Sequence, residues 1–186
     1  WLKVFLELLF KYGLRTSESM GLKWTDFDLE KGYFKVQRSI SKGVITDSLE
    51  VIHENKNHLR DIYLFPETLV LLKKYANFKP SEEWLFVTKE GEPFLQGDTI
   101  RNYHLRPFLK SINIPYKGVY ASRRTYISIM RQSEQVKLES IQEVVGHKKG
   151  SNVTDKHYNL DVLEHTHLVK KAKENSIIFN EILSMV

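Results

Sequence analysis

The feature that most constrains this chain is a change in hydrophobic period. Leu2, Phe5, Leu6 and Leu9 recur at helical spacing, runs between Tyr33 and Phe65 alternate, and from Asp98 onward the pattern is helical again. Alternation confined to one short window, with helices on both sides, leaves room for only a small sheet in a mostly helical fold. The alternating runs are Tyr33–Ile40, Leu49–His53 and Asp61–Phe65, with turn signals at Lys31-Gly32, Lys42-Gly43 and Asn55–Asn57. Connections this short join antiparallel neighbours, because a parallel pair needs a long crossover. The predicted class is α+β, mostly helical, with a small three-stranded antiparallel sheet.

The helices carry their own punctuation. Residues 1–12 form an amphipathic stretch ended by Gly13, and Thr16 can cap a short helix running to Gly21. Trp24 to Glu30 reads as a polar loop, Pro66 opens a helix to about Tyr75, and Trp84-Leu85-Phe86 is a short buried run. Further helices are expected near 98–112, 120–132, 137–145, 151–158 and 160–174. With 186 residues the chain suits one domain, here 1–175, followed by a tail helix over 176–186. The tail carries an apolar stripe of Ile177, Ile178, Phe179, Ile182, Leu183, Met185 and Val186 after the polar stretch Lys170–Asn175, which can serve as a hinge. That stripe either packs on its own core or docks on another subunit.

Composition narrows the function. The chain has no cysteine, which removes disulfide scaffolds, thiol catalysis and cysteine-based zinc sites. No apolar stretch approaches the roughly 20 residues of a membrane-spanning helix. The start at Trp1 inside a helical pattern, without a leader, reads as a piece of a longer cytoplasmic protein. The net charge of +5 permits a polyanionic partner. Basic residues concentrate between Tyr116 and Tyr158, where eight Lys or Arg face four Asp or Glu. Within that segment, Tyr120 and Arg123 share one face of a helix N-terminus, a geometry suited to clamping phosphate. Arg15 follows the Gly13 turn with Glu18 close enough to hold it, His147 follows the helix-ending Gly146, and Tyr158 closes a later helical segment. Taken singly, each is an ordinary surface, capping or ion-pair residue.

Their order is more informative. Gly-Leu-Arg-x-x-Glu, then Arg-Arg-Thr, then Gly-His, then a tyrosine eleven residues after that histidine, with a β-hairpin between the first two, resembles the catalytic domain of the tyrosine recombinases, the phage-integrase family. The resemblance runs from Val4 to about Leu163 and implies metal-free DNA strand exchange through a 3′-phosphotyrosyl link, with no cofactor. Residue by residue, it implies that Arg15 and Arg123 are the two phosphate-binding arginines, His147 a phosphate hydrogen-bonder and Tyr158 the nucleophile. Tyr120 stands where the family usually has histidine, and a phenol is a poor proton acceptor at neutral pH. Counting back from Arg60, the family's turn length puts Glu54 at the lysine position and a shorter turn puts Lys56 there. Lys56 is preferred over Glu54 because a carboxylate beside the leaving oxygen cannot act as a cationic acid, and over Lys42 because Glu54-Asn55-Lys56-Asn57 is a flexible turn between two strands. The resemblance further implies DNA-clamping domains ahead of this one, double-stranded DNA sites as substrate and a homo-tetramer in the synaptic complex.

Three other readings share some of these features. A metal-dependent nuclease would draw on Asp26, Asp28 and Glu30, which the resemblance puts in a solvated loop after the first arginine. A DNA-binding module of the same fold with impaired catalysis would explain Tyr120 and the displaced lysine. A type IB topoisomerase shares the chemistry but works as a monomer, which the apolar tail does not suit. A zinc site at His165 and His167 is disfavoured by their spacing, since residues two apart on a helix face different ways.

Overall fold

The computed structural model describes residues 1–47, 59–132 and 136–147, together with 176, 177, 179 and 180. Helix α1 (Leu2–Tyr12) buries Val4, Phe5, Leu8, Leu9 and Tyr12 and ends at Gly13 in the left-handed conformation. Glycine is required at that position twice over. Its φ is +60°, and an added Cβ would sit 2.7 Å from the Tyr126 ring. The short α2 (Thr16–Met20) follows at once. Helix α3 (Pro66–Ala76) opens on proline, as its sequence predicts.

The sheet has the predicted antiparallel character but different members. Strand β2 (Tyr33–Val36) lies between β1 (Phe27–Asp28) and β5 (Arg60–Tyr63), with Phe34 opposite Ile62 and Val36 opposite Arg60. Phe27 and Asp28 were expected in a loop; instead they pair with Phe34 and Tyr33. The run Tyr33–Ile40 is not one strand. It breaks at Gln37, whose amide turns to donate to Asp26 Oδ1 at 2.7 Å, and resumes as β3 (Arg38–Ser41). That strand forms a separate hairpin with β4 (Val44–Asp47). Lys42 and Gly43 both have positive φ, as a tight two-residue hairpin turn demands. The expected strand Leu49–His53 and the turn after it lie outside the described residues.

The second half is helical. The stretch predicted near 98–112 runs as α4 (Gly97–Ile100), a wider π turn over Arg101–Leu105 and α5 (Arg106–Ser111). The wide turn precedes Pro107, which cannot supply a backbone donor to the turn before it. Helices α6 (Tyr120–Gln132) and α7 (Leu138–Val145) agree with expectation. The helices expected at 151–158 and 160–174 lie outside the described residues.

Two cores result. The larger runs from α1 through the sheet and α3 to Phe94 and Ile100. The smaller joins α6 to α7 through Tyr126, Ile127, Met130, Ile141 and Val145. Helix α1 packs on α6, and α7 packs on β5. Val144 packs against both cores. Of the tail, Phe179 is buried beside the Lys11 ammonium, and Ser176 Oγ donates to Glu67 at 2.6 Å. These residues therefore dock on α1 and α3 of their own chain.

Candidate functional site

The seam between the two cores gathers the charged residues. Glu18, on α2, is the centre. Its buried carboxylate accepts from the Arg15 backbone N–H at 2.8 Å and from Arg15 Nη1 at 2.7 Å. The same carboxylate accepts from Arg60 Nη2 at 2.9 Å and Nη1 at 3.2 Å. Arg60 Nε in turn donates to the Val144 carbonyl at 2.6 Å. The Arg15–Glu18 contact expected from the sequence is present, but Glu18 serves two arginines rather than one.

Arg123 enters from the first turn of α6. It is fully buried, and its two terminal nitrogens donate to the carbonyls of Gly13 and Val145, each at 2.6 Å. One carbonyl comes from the end of α1 and the other from the end of α7, so the guanidinium bolts the two cores together. Among the described residues its Nε has no hydrogen-bond partner. The surface phosphate clamp expected of Tyr120 and Arg123 is not open in this structure, because the main chain at Gly13 and Val145 closes over Arg123.

His147 follows Gly146, whose left-handed φ ends α7 and turns the chain into the seam. Its backbone N–H donates to Gln142 O at 2.8 Å. Burial, then the positive fields of Arg123, Arg15 and Arg60, push its imidazole down to about 4. It is therefore neutral near pH 7, with one ring nitrogen a donor and the other an acceptor. Burial and the neighbouring Arg15 also lower Arg123, to about 10, which leaves it charged at neutral pH. Tyr120 stands at the mouth, about half exposed. With Arg15, Thr16, Lys42 and Gln96 it lines a cleft of about 410 Å³.

Among the described residues, then, Arg15, Arg60 and Arg123 converge around the single carboxylate of Glu18, with neutral His147 alongside and Tyr120 at the entrance. Among the described residues, three guanidiniums against one carboxylate is an excess of positive charge in a largely desolvated place. Such an arrangement binds an anion with spread charge on several oxygens. Lys56 and Tyr158 lie outside the described residues. Tyr126 is a poor alternative nucleophile, since complete burial raises its phenol well above the usual range. Of the acidic run, Glu30 is exposed as expected, but Asp26 is not in a solvated loop. Asp26 is buried and takes hydrogen bonds from Lys23 N, Gln37 and Arg38, so its oxygens are already occupied by the protein. His165 and His167 lie outside the described residues, and among those described no group of carboxylates and histidines is placed to hold a metal ion.

Residues 1–165 match the phage integrase family. The chain belongs to that family. A tyrosine recombinase XerC-like protein of Caldanaerobacter subterraneus subsp. tengcongensis is 28% identical over 198 residues, covering 95% of this chain and 48% of that protein. Tyrosine recombinase XerC of Thermodesulfovibrio yellowstonii is 28% identical over 178 residues, covering 92% of this chain and 56% of that one. The chain thus spans about half the length of these relatives. Among solved structures, the Tn1549 transposon integrase in complex with circular intermediate DNA superposes with a TM-score of 0.69 at 17% identity, over 97% of this chain and 59% of that one. A lambda integrase tetramer bound to a Holliday junction gives 0.59 at 19% identity, over 90% and 45%. At such identities these two structures establish the fold, which is that of the integrase catalytic domain.

Arg60 was the residue that sequence reasoning used only as a landmark. A signal was available: in the alternation Arg60-Asp61-Ile62-Tyr63, Arg60 shares the buried face with Ile62. An arginine on the core face of a strand must find a carboxylate or carbonyls inside the protein.

Proposed function

We propose that this chain is the catalytic domain of a site-specific recombinase that cuts and rejoins double-stranded DNA through a 3′-phosphotyrosyl intermediate. The observation that carries this reading is the convergence of Arg15, Arg123 and neutral His147, far apart in sequence, on one seam with excess positive charge. Strand transfer passes through a pentacoordinate phosphorus whose nonbridging oxygens gain negative charge. Arginines that meet those oxygens stabilise that charge more than they stabilise the ground state. His147 contributes a neutral donor to the same oxygens. Tyr158 attacks phosphorus, losing its phenolic proton to water, and its oxygen displaces the 5′ oxygen; Lys56 donates a proton to that departing oxygen and regains one from water. The bond energy is kept in the phosphotyrosine, so rejoining needs no external energy source. Tyr120 supplies a hydrogen bond at the entrance rather than a base. Because Arg123 is closed off in this state, phosphate reaches it only after the seam opens.

The working assembly is read as a tetramer on paired DNA sites in the cytoplasm, with residues 176–186 exchanged between neighbours. The buried Phe179 and the Ser176–Glu67 bond support the tail as an element that needs a docking surface. In the isolated chain that surface is its own α1 and α3. Incubation with a nicked suicide DNA substrate bearing the cognate site, in EDTA, tests the chemistry. A covalent adduct is expected from the native chain and none from Tyr158→Phe. An adduct that persists in Tyr158→Phe assigns the nucleophile elsewhere, and one that needs a divalent metal overturns the mechanism. In the longer protein, Phe179→Asp with Leu183→Asp should spare half-site cleavage and reduce synapsis.

A further inference from the structure

We propose that Arg60 is a positioning residue that keeps the positive charge of Arg15 available to an anion by competing for Glu18. The proposal rests on the anion-binding reading of the seam given above. Glu18 bonds the Arg15 guanidinium at 2.7 Å and the Arg60 guanidinium through two contacts, at 2.9 and 3.2 Å. A carboxylate shared between two guanidiniums neutralises neither fully. If Arg60 were absent, Arg15 would take a larger share of Glu18's charge and would offer less to a phosphate. Arg15 is the partner with an exposed side, about a third of its side chain, whereas Arg60 is buried. The geometry therefore spends one arginine inside the protein so that another can face outward with its charge.

Arg60 also holds the far wall. Its Nε bonds the carbonyl of Val144, immediately before Val145, whose own carbonyl holds Arg123. Gly146 and His147 follow directly. One side chain on β5 thus ties α2 to the end of α7, the two elements that present Arg15 and His147. The other buried arginine of the sheet region, Arg38, offers a control. It bonds Asp26 and Asp47, neither of which touches Arg15, Arg123 or His147 in any described contact.

The test uses inorganic phosphate and follows the His147 imidazole of the folded chain by NMR, assigned through His147→Gln. In the native chain, phosphate should shift the His147 signal and raise its pKa. In Arg60→Met the phosphate affinity should fall by about tenfold or more, a difference of about 1.4 kcal/mol. Arg60→Lys keeps the charge near Glu18 but cannot also reach Val144, so its affinity should stay within about threefold of native. Arg38→Met should leave phosphate affinity unchanged even where it lowers the melting temperature. Native-like binding in Arg60→Met, an equal loss in Arg38→Met, or no phosphate response in the native chain overturns the proposal. If Arg60→Met does not fold, Arg60→Lys decides, since a tenfold loss in that folded variant refutes charge competition. The recombinase reading fails separately: it falls if phosphate binds as expected but no DNA adduct ever forms. It survives if Arg60→Met forms the adduct as fast as the native chain, in which case only the Arg60 proposal falls.

Discussion

Two buried arginine networks stand a few strands apart in this molecule, and their charge balance separates them. Around Arg38, one guanidinium meets two carboxylates, Asp26 at 2.9 Å and Asp47 at 2.8 Å, with the Gly21 carbonyl as a further acceptor. Around Glu18, among the described residues, one carboxylate meets Arg15 and Arg60, and Arg123 lies near with no carboxylate of its own. The first network satisfies its cation from within and holds a hairpin to the loop before it. Among the described residues the second has more guanidiniums than carboxylates, and burial makes such an excess expensive unless an anion arrives. A network with more carboxylates than guanidiniums only builds structure; one with more guanidiniums, among the described residues, marks the site.

The comparison can be broken by exchanging the outcomes. Arg38→Met should cost about 3–5 kcal/mol of stability, because it leaves Asp26 buried without its ion partner. Chemical denaturation measures this, and the folded fraction should keep its rate of DNA cleavage. Arg123→Lys should do the opposite. It keeps a charge but cannot reach both the Gly13 and Val145 carbonyls with a planar fork, so cleavage should slow about 10²–10³-fold. DNA binding should change far less, while the melting temperature should fall because one of the two buried carbonyls loses its donor. Equal losses of binding and cleavage would reduce Arg123 to a backbone contact. Gly13→Ala lies between the two classes. It strains a positive φ and collides with Tyr126, so about 1–3 kcal/mol of stability should be lost, along with activity through the displaced Gly13 carbonyl.

The smallest expected effect is in pH dependence. His147 has its pKa depressed in the folded state, from an unfolded value near 6.5 to about 4. Between those values the unfolded chain binds the extra proton, so stability should fall as pH drops from about 6.5 towards 4. The slope should disappear in His147→Gln, as thermal melts across that window would show. Cleavage by the native chain should show no titration of this group between pH 6 and 8. A group titrating near 6.5 that vanishes in His147→Gln would mean that burial and the arginine field depress His147 less than its surroundings require.

How much of this was legible beforehand varies by residue, and the physical reasons differ. The helix ends at Gly13 and Gly146 were readable because a left-handed residue after a helix strongly favours glycine. The antiparallel sheet was readable from period and turn chemistry, although its membership was not. Phe27 and Asp28 form a strand only because β2 offers them a free edge, and Tyr33–Ile40 breaks only because Gln37 finds Asp26 across space. Arg15, Arg123 and His147 were located by their order along the chain. Their environment was not, because burial and field are sums over neighbours that sequence order does not list.

By itself the sequence determined the class of fold, the helix boundaries set by glycine and proline, the absence of thiol chemistry and the family to which the chain belongs. These follow from local backbone preference, hydrophobic period and motif order, all of which act over a few residues or are read directly along the chain. Only the tertiary structure decided that Glu18 is divided between Arg15 and Arg60, that Arg123 joins the two cores through carbonyls rather than standing at the surface, and that Asp26 belongs to Arg38. Each is a choice among several possible partners of opposite charge, or among carbonyls. That choice is settled by which groups the packed helices and strands bring within about 3 Å of one another.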